Sequence, residues 1–206
     1  MPTRSLTPRQ CSSATASSSP VRSSTVPERS YRQLSRTKIV QALQALGDEL
    51  GRRDIRGQVF IVGGAAMALA YSTRRVTVDV DAIFEPKAVI YEAASKVAED
   101  LGLPADWLND AAKGFMPGSD EDARPLPEVE GIEITTASPR YLLAMKLMAM
   151  RIGEDDEDIE ILIRECGIQS AEEAMELLTK MYPRAKPAPK ARFFLEALLD
   201  EPAESS

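Results

Sequence analysis

The sequence predicts an α/β protein with a helical C-terminal extension, and two observations support this fold class. Between residues 34 and 136, stretches with the apolar spacing of amphipathic helices alternate with short apolar β-type runs. From residue 138 onward, only helical patterns follow. We therefore expect residues 34–153 to form an α/β core and residues 154–206 to extend it with helices.

The N-terminal segment, residues 1–33, has the composition of a disordered tail. Residues 1–30 contain nine Ser and four Thr, and large apolar side chains are almost absent. Such a segment cannot bury enough apolar surface to offset the entropy that ordering costs. The Arg- and Ser-rich composition also resembles an organelle transit peptide.

The predicted core begins with an amphipathic helix, because apolar residues recur at 3–4 spacing from Ile39 to Leu50. The apolar run at residues 59–62 predicts a strand, which Gly63 and Gly64 end. In chain order, the later predicted elements are a helix at 65–71, a strand at 76–84, a helix that Pro86 opens, an irregular segment at 104–128 with a short helical piece at 106–112, and a strand at 131–136.

Helix-capping residues mark the C-terminal helices. Ser138 suits an N-cap and Pro139 the first helical position of a helix that continues to Met150. Ser170 and Glu173 form a capping box for another helix. Two further helices are predicted at residues 156–165 and 191–199.

The composition limits the chemistry that the chain can perform. It has no histidine, which excludes Ser-His-Asp triads and nearly every zinc-enzyme design. Two cysteines without short spacing make neither a disulfide framework nor a zinc site, and their number fits a reducing cytoplasm. No apolar run approaches the roughly 18 residues of a membrane span. Catalysis would therefore depend on carboxylates, lysine, arginine and a bound hard metal ion.

The charge of the chain is unevenly distributed. The net charge is −7, and residues 1–38 hold seven basic side chains and one acidic side chain, which leaves −13 for the rest. An acidic body is unfavourable for general nucleic-acid binding. It favours small cationic substrates instead.

Asp79 and Asp81 are the candidate metal ligands. On one continuous strand they would share a face with Thr77, with the two carboxylates about 6–7 Å apart. Carboxylates that close disfavour each other's ionisation unless a cation lies between them. Mg²⁺ accepts one or two carboxylates together with phosphate oxygens, so the pattern predicts a site for Mg²⁺ or Mn²⁺. The alternative is a solvated strand face, although Asp is a poor strand former.

Gly63 and Gly64 lie between an apolar strand and a helix, about fifteen residues before the acids. Glycines at such a junction let backbone N–H groups approach phosphates. A tight turn without a ligand is the alternative.

Lys146 lies inside an almost wholly apolar helical stretch, residues 142–150. A buried ammonium is costly unless an anion meets it. Lys146 therefore either reaches the surface along its stem or points into a cleft that holds an anion. Asp158 would complete a polar cluster there, or simply suits a helix N-terminus. We expect most of the acidic run at residues 154–158 to be solvated.

These motifs together resemble the MenT/AbiEii-like nucleotidyltransferase toxins, a branch of the DNA polymerase β-like nucleotidyltransferase superfamily found in bacterial toxin–antitoxin systems. The resemblance spans roughly residues 55–165. It rests on four segments, at residues 62–66, 74–81, 146–151 and 155–159. The chain has Gly63–Gly64 where the family commonly has Gly-Ser.

The resemblance implies a polymerase β-like core with a mixed sheet, and it implies roles for individual residues. Asp79 and Asp81 would bind the metal ion. The residues expected at the nucleotide are Gly63, Gly64, Thr77 and Lys146, with Lys146 at the triphosphate and Asp158 as a further catalytic residue. Glu133 would be a third carboxylate, and Arg74 and Arg75 would contact phosphate or acceptor.

Thr77 is also similar in position to a hydroxyl that antitoxins of such systems phosphorylate. The alternative is that Thr77 is simply a β-branched residue that favours a strand.

The resemblance further implies a cytoplasmic toxin, not bound to a membrane, that transfers pyrimidine nucleotides from CTP or UTP to the 3′ end of tRNA and has a cognate antitoxin. One alternative is transfer to a small molecule such as an aminoglycoside. Another is a catalytically inactive nucleotidyltransferase-like module that acts in binding or as an antitoxin. The intact pair Asp79 and Asp81 argues against the inactive module.

Overall fold

The computed structural model describes residues 33–71 and 76–199, and a five-stranded mixed sheet lies at its centre. The strands are β1 (Leu34–Ser35), β2 (Gly57–Ile61), β3 (Val76–Thr77), β4 (Val80–Glu85), β5 (Leu108–Asn109), β6 (Arg124–Pro125) and β7 (Ile132–Thr136). The strand order in the large sheet is β5-β4-β2-β7-β6, and β1 pairs with β3 separately. Strand β2 is antiparallel to β4 and parallel to β7. This architecture confirms the predicted α/β class with a mixed sheet.

The described residues contain seven α-helices, in the places where the sequence predicts helices. They are α1 (Arg36–Arg52), α2 (Gly63–Ala66), α3 (Lys87–Leu101), α4 (Pro139–Ala149), α5 (Asp156–Cys166), α6 (Ala171–Met181) and α7 (Pro189–Leu199). The predicted caps are present, because the side chains of Ser138 and Ser170 accept hydrogen bonds from the backbone N–H groups of Tyr141 and Glu173. A π-helical segment, Met67–Tyr71, extends α2.

Helices α1 and α3 pack together and cover one face of the sheet, and α3 also packs on β4. Side chains alternate along a strand, and every second residue of β4 is buried, beginning with Val80 and continuing with Ala82 and Phe84. The intervening residues, Asp81 and Ile83, therefore lie on the other face, where they are only half-buried. On this second face the ring of Tyr141, from α4, packs edge-on against Phe60, with centroids 5.7 Å apart.

The strand predicted at residues 76–84 is not continuous. Val76 and Thr77 pair with β1, whereas β4 pairs with β2, and a bend at Val78 and Asp79 separates the two strands. The chain changes its pairing partner at this bend, and local alternation of side chains carries no information about partners. The predicted continuous strand is therefore wrong in its extent.

The helical piece predicted at residues 106–112 is also wrong. Leu108 and Asn109 form β5, which runs parallel to β4 with Asn109 opposite Asp81, and a 3₁₀ turn follows at Ala111–Phe115. Two residues are too few for a visible strand period. Pairing with β4 decides their conformation, and only the tertiary structure supplies that partner.

Two expectations from the sequence concern the ends of the chain. The predicted tail, residues 1–33, lies outside the described residues except for its last residue. The boundary expected between residues 153 and 154 stays a prediction, since α5 and α6 both pack against α4. Within the described ranges, no helix combines the length and the apolar character that crossing a membrane requires.

Candidate active site

The carboxylate pair, which we define as Asp79 and Asp81, lies where β4 begins. Asp79 occupies the bend before this strand and Asp81 is its second residue, and both side chains are half-buried. The backbone carbonyl of Asp81 accepts a hydrogen bond of 2.9 Å from Val62 N–H. This bond joins the start of β4 to the residue that precedes Gly63 and Gly64.

Gly63 lies close to Asp81, and Gly64 lies close to Thr77. Gly63 has a left-handed backbone, with φ of 63°, and a Cβ there would lie 3.3 Å from Oδ2 of Asp81. A Cβ on Gly64 would lie 2.8 Å from Oγ1 of Thr77. The structure therefore brings together four of the residues that the sequence singles out, through backbone that only glycine can supply at this distance.

Electrostatics make Asp81 an unusual carboxylate. Burial raises its pKa to about 6, and the negative charge of Asp79 acts in the same direction. A hydrogen bond from the backbone N–H of Ala112 and the positive charge of Arg151 partly oppose this rise. A cation at the carboxylate pair would relieve the repulsion between the two acids.

Asn109 is a site residue that none of the sequence motifs includes. Its Nδ2 donates a hydrogen bond of 2.9 Å to Oδ2 of Asp79. A signal existed in the sequence, since the apolar pair Trp107 and Leu108 is followed at once by two polar residues. Such a step resembles the end of a short buried strand.

A second group of charged side chains, the lysine cluster, consists of Lys146, Arg151, Asp155 and Asp158. Nζ of Lys146 lies 2.7 Å from Oδ1 of Asp155 and 2.7 Å from Oδ2 of Asp158. All three side chains are at least nine-tenths buried. Lys146 therefore does not reach the surface, and Asp158 joins it as expected, together with Asp155, which the sequence does not single out.

Arg151 connects the two clusters electrostatically. Its backbone N–H and Nε donate to Oδ2 of Asp155 at 3.0 and 3.3 Å, while its positive charge slightly opposes the rise in the pKa of Asp81. Among the described residues, Nζ of Lys146 makes ion pairs with Asp155 and Asp158 and none with the carboxylate pair. Of the acidic run at residues 154–158, only Glu154 and Glu157 are exposed, so the expectation that most of it is solvated is wrong. Asp155 and Asp158 are buried because they pair with Lys146.

Glu133 does not join the carboxylate pair, so its assignment as a third carboxylate is wrong. In the sheet, Glu133 lies opposite Gln58, and Gln58 lies opposite Glu85. Glu85 is four residues from Asp81 along β4, which is about 13 Å of strand. Glu133 instead accepts a hydrogen bond of 3.2 Å from Nε2 of Gln58. The predicted phosphate contacts Arg74 and Arg75 lie outside the described residues.

The carboxylate pair fits a divalent cation that shares its coordination with a substrate. No group of three or more Asp, Glu, Cys or His side chains suited to a metal ion occurs in the described ranges. A complete protein cage, as for structural Ca²⁺, is therefore not present there. Mg²⁺ typically takes one or two carboxylates and completes its shell with water and substrate phosphates, which is the donor set that Asp79 and Asp81 offer.

The comparisons with known proteins agree with this geometry. A family model described as "Nucleotidyltransferase of unknown function (DUF6036)" matches residues 37–187. The match includes the carboxylate pair, Gly63, Gly64 and the lysine cluster. No curated protein and no solved structure matches the chain. Because the family model covers more than half of the sequence, the chain belongs to this family of nucleotidyltransferases.

Proposed function

We propose that the protein transfers a nucleotide from a Mg²⁺-bound nucleoside triphosphate to a hydroxyl acceptor and releases pyrophosphate. The observation that carries this proposal is the meeting of Asp79 and Asp81 with Gly63, Gly64 and Thr77 at one end of the sheet. The acceptor oxygen forms a bond to the α-phosphorus, the bond from that phosphorus to pyrophosphate breaks, and the hydroxyl proton leaves to water. Such a transfer depends mainly on positioning and charge neutralisation.

In this proposal Asp79 and Asp81 hold the metal ion, either Mg²⁺ or Mn²⁺. When bound, the ion supplies positive charge that neutralises the triphosphate and the departing pyrophosphate. Gly63 and Gly64 are half-buried, and their backbone lies beside Asp81 and Thr77. We assign the phosphates of the nucleotide to this backbone and to the hydroxyl of Thr77.

We further propose that Lys146 and Asp158 act as one unit at the triphosphate. An ammonium has three donors, and two carboxylates at 2.7 Å fix its position on α4. Arg151 supports this placement, because it contacts Asp155 and its charge reaches Asp81. A fixed cation costs less entropy on binding phosphate than a mobile one.

The acceptor that we propose is the 3′ end of tRNA, with CTP or UTP as nucleotide donor, in a toxin that a cognate antitoxin controls. The support is the resemblance of the segments around Gly63, Asp79, Lys146 and Asp158 to MenT/AbiEii-like toxins. The test is incubation of the purified protein with total tRNA, Mg²⁺ and each of the four α-labelled nucleoside triphosphates. Label on tRNA from CTP or UTP is the expected result. Label from no nucleotide, at any divalent cation concentration, would exclude this function.

A second candidate is transfer to a small cationic molecule such as an aminoglycoside. The observation that favours it is the charge of −13 outside residues 1–38, since an acidic surface attracts cations and repels RNA. The same labelled nucleotides, incubated with a panel of aminoglycosides, distinguish the two acceptors. Label in neither acceptor, with nucleotide binding intact, would instead indicate a catalytically inactive binding module.

A further inference from the structure

Asn109 holds a fixed orientation beside the carboxylate pair. Its Oδ1 accepts a hydrogen bond of 3.0 Å from the backbone N–H of Ala111. Since only the carbonyl oxygen of an amide can accept, the NH₂ group must point the other way. That group donates to Oδ2 of Asp79 at 2.9 Å and approaches the carbonyl of Asp106 at 3.4 Å.

The segment that carries Asn109 contacts both members of the carboxylate pair. Asn109 lies directly opposite Asp81 in the pairing of β5 with β4, and its side-chain amide donates to Asp79. Asn109 is therefore next to both acids, to Asp81 through strand pairing and to Asp79 through a side-chain hydrogen bond. A loop that only joined β5 to the 3₁₀ turn would not need these contacts with the two acids.

We propose that Asn109 is the positioning residue of the metal site. It occupies one oxygen of Asp79 and leaves the other oxygen directed towards the cation shared with Asp81. Without this bond, the Asp79 carboxylate would rotate away from the charge of Asp81. Each time a cation binds, the orientation of the carboxylate would then have to be fixed again, at a cost in entropy. This inference rests on the proposed metal-dependent transfer. Hydrogen-bond partners that orient a ligating carboxylate typically contribute about 10–100-fold to metal affinity.

The competing interpretation is that Asn109 only stabilises the turn through Ala111. Two variants separate these roles. Asn109→Ala removes both hydrogen bonds. Asn109→Ser keeps a hydroxyl that can accept from Ala111 N–H in the same kind of turn, but its shorter side chain does not reach Asp79. Gln58→Ala is a matched control, because it removes an amide-to-carboxylate bond from the distant end of the sheet.

The experiment is a titration of the full chain and its variants with Mn²⁺, followed by electron paramagnetic resonance, together with thermal midpoints in the absence of metal. We expect the Kd for Mn²⁺ to rise about 10–100-fold in both Asn109 variants and to stay unchanged in Gln58→Ala. We also expect saturating Mg²⁺ to restore nucleotide transfer in Asn109→Ala but not in Asp79→Ala.

Each outcome of the titration has a defined meaning. Wild-type affinity in Asn109→Ala would overturn the inference. Affinity that falls in Asn109→Ala but is restored in Asn109→Ser would also overturn it, because the turn alone would then explain the loss. If the wild-type chain itself binds no Mn²⁺, the proposed function fails instead, and the two failures are therefore distinguishable.

Discussion

Single residues at the start of β4 carry the proposed chemistry at a cost to the fold. Asp81 is half-buried beside Asp79, and burial together with this neighbour raises its pKa to about 6. A carboxylate in such surroundings weakens the folded state, because its charged form loses hydration and meets a like charge. Residues that destabilise a fold in this way are typical of functional sites.

Replacement of either acid should separate activity from stability. Asp79→Ala and Asp81→Ala should lower nucleotide transfer about 10³-fold or more, because the metal site is lost. The thermal midpoint in the absence of metal should stay equal or rise, since the repulsion disappears. Label transfer and differential scanning fluorimetry measure the two effects, with Glu99→Ala on α3 as an exposed control. Near-normal transfer in either variant would show that Asp79 and Asp81 are not the metal ligands.

Thr77 lies against Gly64, with its hydroxyl at the backbone that we assign to phosphates. Thr77→Val keeps the shape and should retain much of the activity. Thr77→Glu adds a charge of the kind that phosphorylation brings, beside two carboxylates, and should abolish nucleotide transfer. Thr179→Glu, on the exposed side of α6, is the matched control. Equal activity of the Val and Glu variants would mean that Thr77 does not face the nucleotide and is not a regulatory site.

Among the secondary-structure elements, the junction between α4 and α5 depends on the lysine cluster. The side chain of Lys146 is 9% exposed and those of Asp155 and Asp158 are 2% and 1% exposed, so the charges are compensated within the protein and not by water. Burial of a matched group of charges gives little net stability, but removal of one member leaves the others uncompensated. The cluster therefore has a structural role in addition to any role at the triphosphate.

Lys146→Ala should destabilise the protein by about 3–5 kcal/mol, because two buried carboxylates lose their cation. Lys180→Ala, on an exposed position of α6, should change the free energy of unfolding by no more than about 0.5 kcal/mol. Urea denaturation at neutral pH measures both. If the two variants unfold alike, Lys146 does not hold the junction between α4 and α5.

The same cluster predicts how stability depends on pH. Burial alone would raise the pKa of Asp155, but Lys146 and Arg151 outweigh it and hold the pKa below its ordinary value of 3.8. A carboxylate with a lowered folded-state pKa contributes stability above its unfolded pKa, and this contribution is lost as the pH falls through the folded value. The free energy of unfolding should therefore decrease below a pH of 3.8. In Asp155→Asn this decrease should be smaller. If the wild type and Asp155→Asn show parallel profiles of unfolding free energy against pH, measured with urea, the pH dependence does not come from Asp155.

For the molecule as a whole, the family match begins at residue 37, and the described structure begins just before it. Leu34 is fully buried, and Ser35 caps α1 through a hydrogen bond from Lys38 N–H. Leu34 and Ser35 are therefore part of what stabilises the fold. Residues 1–30 contain almost no large apolar side chains that could be buried as Leu34 is.

Deletion of residues 1–30 should leave the thermal midpoint and the transfer activity unchanged. Deletion of residues 1–38 should be destabilising, because it removes the burial of Leu34, about 1.5–3 kcal/mol, and the cap at Ser35, about 1 kcal/mol. Thermal unfolding of both truncated proteins tests this difference. A large loss of tRNA affinity on the shorter deletion would show that the basic N-terminal segment contributes to acceptor binding.

The periodic elements and the identity of the candidate site can be predicted from the amino-acid sequence. Helices α1, α3 and α4 follow from apolar spacing and capping residues, which are local properties. Asp79 and Asp81 stand out because Asp is a poor strand former. Gly63 and Gly64 stand out because they lie between an apolar strand and a helix, where backbone N–H groups can approach phosphates.

Which elements meet depends instead on contacts between distant parts of the chain. The bend at Asp79 arises because β3 and β4 pair with different strands. Strand β5 exists because β4 lies beside it, and this pairing brings Asn109 to Asp79. The pairing register of β7 with β2 likewise places Glu133 away from the carboxylate pair. Strand pairing joins residues far apart in the chain, and the periodicity within one segment contains no information about its partner.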